Sequence, residues 1–96
     1  MQKNTYKQIA TLMAPYLKKG ISYRQKQVRR LLAIYDDIFA HEPYLNDEIT
    51  RVGRKQIIGY WERTKGESSA VRKEKYKVLC LFYSKANLLG KVPEPK

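Results

Sequence analysis

The residues best placed to do chemistry in this chain are cations, and they stand where a helix disfavours them. Gly20-Ile21-Ser22 is followed by Tyr23, Arg24, Lys26, Arg29 and Arg30, and Gly66-Glu67-Ser68 by Ser69, Arg72, Lys73, Lys75 and Lys77. Each stretch has the form of a break, a helix cap, and then positive charge in the first turns. The N-terminal end of a helix already carries about half a positive charge, so a cation there costs roughly 0.3–1 kcal/mol. The N–H groups exposed at a helix start point at anions, and neighbouring cations reinforce that field. The chemistry suited to both stretches is the binding of phosphate or another anion. Simple solvation of a charged face accounts for Lys7, Lys85, Lys91 and Lys96, but poorly for two basic helix starts.

Catalytic groups are not arranged for work. His41 is the only histidine and stands beside Glu42 and Pro43 in a loop-like stretch, where a histidine is ordinarily solvated. Cys80 is the only cysteine and lies among Leu79, Leu81 and Phe82, as a buried, inert thiol would. One Cys and one His cannot build a structural zinc site, and no glycine-rich phosphate loop is present. The expectation is a protein that is not an enzyme, with no metal, no cofactor and no small-molecule ligand. A lone cysteine excludes an internal disulfide and suits a reducing compartment such as the cytoplasm.

Tyrosines number eight. Tyr16, Tyr35, Tyr60 and Tyr83 are expected at the rim of a small core with their hydroxyls wet. Tyr23 and Tyr76 fall inside the basic openings, within reach of phosphate, sugar or base.

The elements that must position these groups read as four helices, without convincing strand alternation. The first runs from about Thr5 to Leu17, with Ile9, Leu12, Met13, Tyr16 and Leu17 at helical spacing, Pro15 late in it and Gly20 as a stop. The second runs from Tyr23 to about Ala40 with Ser22 as cap, and Val28, Leu31, Leu32, Tyr35, Ile38 and Phe39 form its apolar stripe. Residues 41–52 read as a loop docked by Leu45 and Ile49. The third helix begins at Gly53 or Arg54 and ends near Thr64, with Ile57, Ile58, Tyr60 and Trp61 on its apolar side. The fourth begins at Ser68 or Ser69 and runs to about Leu89, burying Val71, Val78, Leu79, Phe82, Ala86 and Leu89 before Gly90 stops it. The spacing thus predicts an all-α domain over residues 1–90, and an extended tail or linker over 91–96.

Ninety-six residues suffice for one small domain, and 43% hydrophobic content is ordinary for a globular one. The net charge of +11 is unevenly distributed. Lys18, Lys19, Arg24, Lys26, Arg29 and Arg30 occur without an acid among them, whereas Asp36, Asp37, Glu42, Asp47 and Glu48 occur without a Lys or Arg. Segregated charge of this kind is the footprint of a nucleic-acid or anionic-surface binder. No run of 18 apolar residues exists to span a bilayer. The second helix keeps its apolar residues in a core-facing stripe without a Trp or Phe wedge, so a membrane is not the expected partner.

The order of these segments resembles the N-terminal core-binding domain of tyrosine recombinases, the SAM-like domain of phage integrases. The residues that carry the resemblance are Gly20-Ile21-Ser22, the basic helix with Arg29 or Arg30 before Leu31-Leu32, and Val52-Gly53-Arg54-Lys55-Gln56-Ile57-Ile58-Gly59-Tyr60-Trp61. After them come Gly66-Glu67-Ser68-Ser69-Ala70-Val71-Arg72 and an aromatic-rich helix with Leu79, Phe82 and Tyr83. The likeness extends over roughly residues 5–95, and Val92-Pro93 looks like the exit toward a catalytic domain. It implies a small orthogonal four-helix bundle that forms half of a DNA clamp, with the second and fourth helices at the major groove. Residues matching that role are Tyr23, Arg24, Gln27 and Arg30 on the second helix. On the fourth they are Ser68, Ser69, Arg72, Lys73, Tyr76 and Lys77. The family's catalytic domain has no counterpart in this sequence. The resemblance therefore implies an excised domain or a stand-alone regulator, such as a repressor or recombination accessory factor, of bacterial, phage or mobile-element origin.

The sequence thus predicts double-stranded DNA as partner, with phosphates held by Lys26, Arg29, Lys73 and Lys77. Base edges would be read by Arg24, Gln27 or Arg72, since Arg pairs with guanine and Gln with adenine. A recombinase catalytic domain or a second copy of the chain are further partners this reading allows. The alternatives are an interaction module for an acidic protein, or RNA binding.

Overall fold

The computed structural model describes Met1–Lys96 and is all-helical. Four α-helices, α1 (Lys3–Met13), α2 (Ser22–His41), α3 (Arg54–Arg63) and α4 (Ser69–Lys85), form a small bundle, with short 3₁₀ turns in the first two connections and a plain turn in the third. No helix is long and apolar enough to cross a membrane.

The apolar stripe of α2 packs most extensively on α4. Leu31, Ile34, Tyr35 and Ile38 of α2 and Val78, Leu79 and Phe82 of α4 are all fully buried in the shared core. The Tyr35 and Phe82 rings meet edge to face with centroids 5.4 Å apart, a geometry worth about 0.5–1.5 kcal/mol beyond burial. Ile9 and Met13 of α1 and Ile57, Tyr60 and Trp61 of α3 complete the core. Tyr23 meets Glu74, and Tyr35, three turns further on, meets Phe82. The two helices therefore run side by side in the same direction, with both N-terminal turns at one end of the molecule.

Several boundaries differ from expectation, each for a local reason. α1 ends at Met13, because Pro15 has no N–H to continue the ladder; Ala14–Tyr16 tightens into a 3₁₀ turn and Leu17 is exposed. Gly20 then reverses the chain at φ +86°, a conformation glycine adopts without strain. Ser22 is not a cap: it is the first residue of α2, Ile21 precedes it, and no side chain satisfies that helix start. Ser68 does cap α4, its Oγ accepting from the Val71 N–H at 3.2 Å. Residues 43–45 and 49–51 form 3₁₀ turns that bury Leu45 and Ile49, as the loop reading required. α4 stops four residues early, at Lys85. Asn87 takes a left-handed conformation (φ +53°), and Leu89, expected in the core, is 95% exposed.

The tyrosines depart furthest. Tyr35, Tyr60 and Tyr83 are core residues and not rim residues. Tyr83 donates to the Val52 carbonyl at 3.2 Å, and Tyr60 accepts from Lys75 at 2.7 Å. The Tyr35 hydroxyl has no partner at all, and burial pushes its phenol far above the ordinary value. Cys80 is half-buried, less enclosed than expected.

Residues 91–96 carry no regular secondary structure, and they are not a free tail. Val92 is buried, the Pro93 carbonyl accepts from the Trp61 indole N–H at 2.9 Å, and the Lys96 carbonyl accepts from Arg72 at 2.7 Å. The tail is strapped across α3 and α4.

Candidate nucleic-acid interface

The parallel packing of α2 and α4 brings the two basic openings together. Ser22–Arg30 and Ser69–Lys77 contain Arg24, Lys26, Arg29, Arg30, Arg72, Lys73, Lys75 and Lys77, and a single acid, Glu74. Neither helix has an acid in its first turn. Two helix N-termini at one end add their partial positive charges to this field.

The structure sorts the twelve expected contact residues into distinct sets. Lys26, Arg29 and Lys73 are exposed and make no ion pair within the chain; Lys77 is exposed and reaches only Glu74, at 3.4 Å. Lys26 and Arg30 stand one turn apart on α2, and Lys73 and Lys77 one turn apart on α4, so each pair shares a helix face. Lys77 reaches the Glu74 carboxylate, and the charge of Arg30, which bonds the Gln27 side-chain oxygen at 2.7 Å, also acts on that carboxylate.

The three residues expected to read bases are turned to other work. Arg24 is half-buried, donates to the Tyr16 carbonyl at 3.0 Å and lies 5.0 Å over the Tyr16 ring. Gln27 is only 2% exposed. Its amide nitrogen donates to the Glu74 carbonyl at 3.3 Å and carboxylate at 3.2 Å, and to the Tyr23 hydroxyl at 3.1 Å. Arg72 is 7% exposed and bonds the Trp61 and Lys96 carbonyls at 2.8 and 2.7 Å. Burying an arginine costs free energy unless its donors are met; here only Nε lacks a partner. A side chain held in this way does not reach a base edge without breaking its part of the fold.

Tyr23 remains about half exposed, but its hydroxyl donates to the Glu74 carboxylate. That bond, followed by the charges of Lys77 and Arg30, holds the Glu74 carboxyl below the ordinary range against partial burial. Ser68 is spent on the cap. Ser69, Lys73 and Tyr76 line a shallow depression of about 380 Å³ closed on one side by Glu94, Pro95 and Lys96 of the tail. The neighbouring Cys80 thiol raises the Tyr76 phenol.

Lys75, which the sequence places among the cations of the second basic opening, proves structural. Its ammonium bonds Glu67 at 2.7 and 2.8 Å and the Tyr60 hydroxyl at 2.7 Å, and lies 5.1 Å over the Tyr60 ring. Burial opposes its charge, yet these partners prevail and raise its pKa above the ordinary lysine value. Glu74 was passed over. Its position as the one acid among the basic turns is the signal that identifies it. No family model, no curated protein and no solved structure matches this chain.

Proposed function

We propose that this chain binds double-stranded DNA, gripping the phosphate backbone with Lys26, Arg29 and Arg30 of α2 and Lys73 and Lys77 of α4. The observation that carries this reading is the parallel packing of α2 and α4, which gathers both basic helix starts at one end, where Lys26, Arg29 and Lys73 are exposed and make no ion pair within the chain. The resemblance to the core-binding domain of tyrosine recombinases points to the same two helix starts. On that reading the chain holds DNA as a recombination domain or a derived regulator, in a cytoplasm where Cys80 stays reduced.

The grip is one of backbone contacts more than of base reading. Phosphate contacts position a protein on a duplex without carrying sequence information. The engagement of Arg24, Gln27 and Arg72 within the fold supports weak sequence preference, in contrast to the selective reader that the sequence suggested.

Fluorescence anisotropy with a random-sequence duplex tests the proposal. Four to five phosphates neutralised would give a slope of log affinity against log salt of about −4, and a loss on the order of 10² in affinity between 50 and 200 mM salt. No binding at low salt would sink the proposal in favour of an acidic protein partner. Equal competition by structured RNA would replace DNA with RNA.

A further inference from the structure

Glu74 sits where the ligand of such a grip belongs. Its carboxylate accepts from the Tyr23 hydroxyl and from the Gln27 amide at 3.2 Å on one oxygen, and from Lys77 at 3.4 Å on the other. Arg30, whose charge acts on the carboxylate without forming an ion pair with it, is held by a 2.7 Å bond to the Gln27 side-chain oxygen. We infer that Tyr23, Gln27, Arg30 and Lys77 form a site for one backbone phosphate, which the Glu74 carboxylate occupies until the nucleic acid displaces it.

This deepens the DNA reading and rests on it for the identity of the natural ligand. The site is built in advance. Gln27 is 2% exposed, and its amide is oriented from both sides, by Arg30 on its oxygen and by Glu74 and Tyr23 on its nitrogen. A carboxylate and a phosphodiester each present two acceptor oxygens sharing one negative charge, so the same donors serve either. The exchange is also feasible sterically. The Glu74 side chain keeps 27% of its surface exposed, so it can swing outward while its backbone carbonyl still accepts from Gln27. Glu74 thus acts as a brake: it occupies the donors and cancels part of the charge of Arg30 and Lys77, and in the free protein it keeps the buried Gln27 amide satisfied.

The test is Glu74→Gln, which keeps the side chain's shape and an acceptor for Tyr23. Glu48→Gln, an equal charge change on an exposed loop residue, is the control. Circular dichroism establishes that both variants are folded. Duplex affinity at 50 mM salt should rise about five- to tenfold in Glu74→Gln and less than twofold in Glu48→Gln. The salt slope should steepen by about one, the value for one added phosphate contact. Titration with inorganic phosphate should shift the side-chain NMR signals of Gln27 and Arg30 in Glu74→Gln and leave them unmoved in the unaltered protein. Equal gains in the two variants would show that net charge alone is at work and overturn the inference. So would unresponsive Gln27 and Arg30 signals in the variant. A phosphate response without duplex binding in any form would uphold the anion site and defeat the DNA reading.

Discussion

Arg72 donates to the carbonyl of Trp61 at 2.8 Å, and its guanidinium lies 5.7 Å over the indole of the same residue. The indole N–H in turn holds Pro93, and Arg72 reaches on to Lys96. One arginine at the start of α4 therefore ties together the end of α3 and the C-terminal strap.

Arg72→Ala should lower stability by about 1.5–3 kcal/mol, the range for hydrogen bonds made by a charged donor, and should loosen residues 92–96. Urea unfolding measures the first, and amide exchange near the tail the second. Duplex affinity should fall by no more than the loss of one charge implies. A wild-type melting curve with abolished binding would restore Arg72 as a reader of bases.

Lys73→Ala with Lys77→Ala should behave in the opposite manner. Both side chains are exposed, so stability should stay within about 0.5 kcal/mol. The salt slope of duplex binding should flatten by about 2, at about 0.9 per phosphate contact removed. A salt titration at several concentrations decides this.

Glu67→Gln should remove about 2 kcal/mol of stability at neutral pH. Stranding one partner of a fully buried ion pair costs about 3–5 kcal/mol, and here Lys75 is 11% and Glu67 35% exposed, which weakens the pair. The pH dependence has a definite sign. The pKa of Lys75 is raised in the folded state, so its contribution is fully present below the unfolded lysine value of about 10.4 and is lost as pH rises through the folded value. Denaturant midpoints from pH 8 to 11.5 should fall more steeply for the unaltered protein than for Lys75→Met.

Tyr35→Phe should leave stability unchanged or raise it by up to about 1 kcal/mol, because the hydroxyl is buried without a partner. The ring contacts with Phe39 and Phe82 remain. A fall in melting temperature of several degrees would mean that the hydroxyl is satisfied in solution.

Much of the scaffold was legible in the chain. The stripe from Val28 to Phe39 marked α2 to within two residues, and the capping serine at 68 marked the start of α4. Leu45 and Ile49 were recognisable as the anchors of the loop. The identical Gly-x-Ser before α2 misled, since Ser22 is helical and caps nothing. Helical periodicity placed Leu89 in the core, but Asn87 takes a left-handed conformation and turns the chain away.

Hydrophobic spacing is a local property repeating every 3.6 residues, so the sequence by itself determined the four helices, their apolar faces and the separation of charge. The fate of the long polar side chains at the border of each face was decided only by the tertiary structure. Gln27 finds Glu74 across 47 positions, and Arg72 finds Lys96 across 24. Arg, Lys and Gln have apolar stems that lie equally well along a core edge with the head turned outward or inward. Which way it turns depends on whether a carbonyl or carboxylate from a distant segment is waiting, and that is a property of the packed bundle.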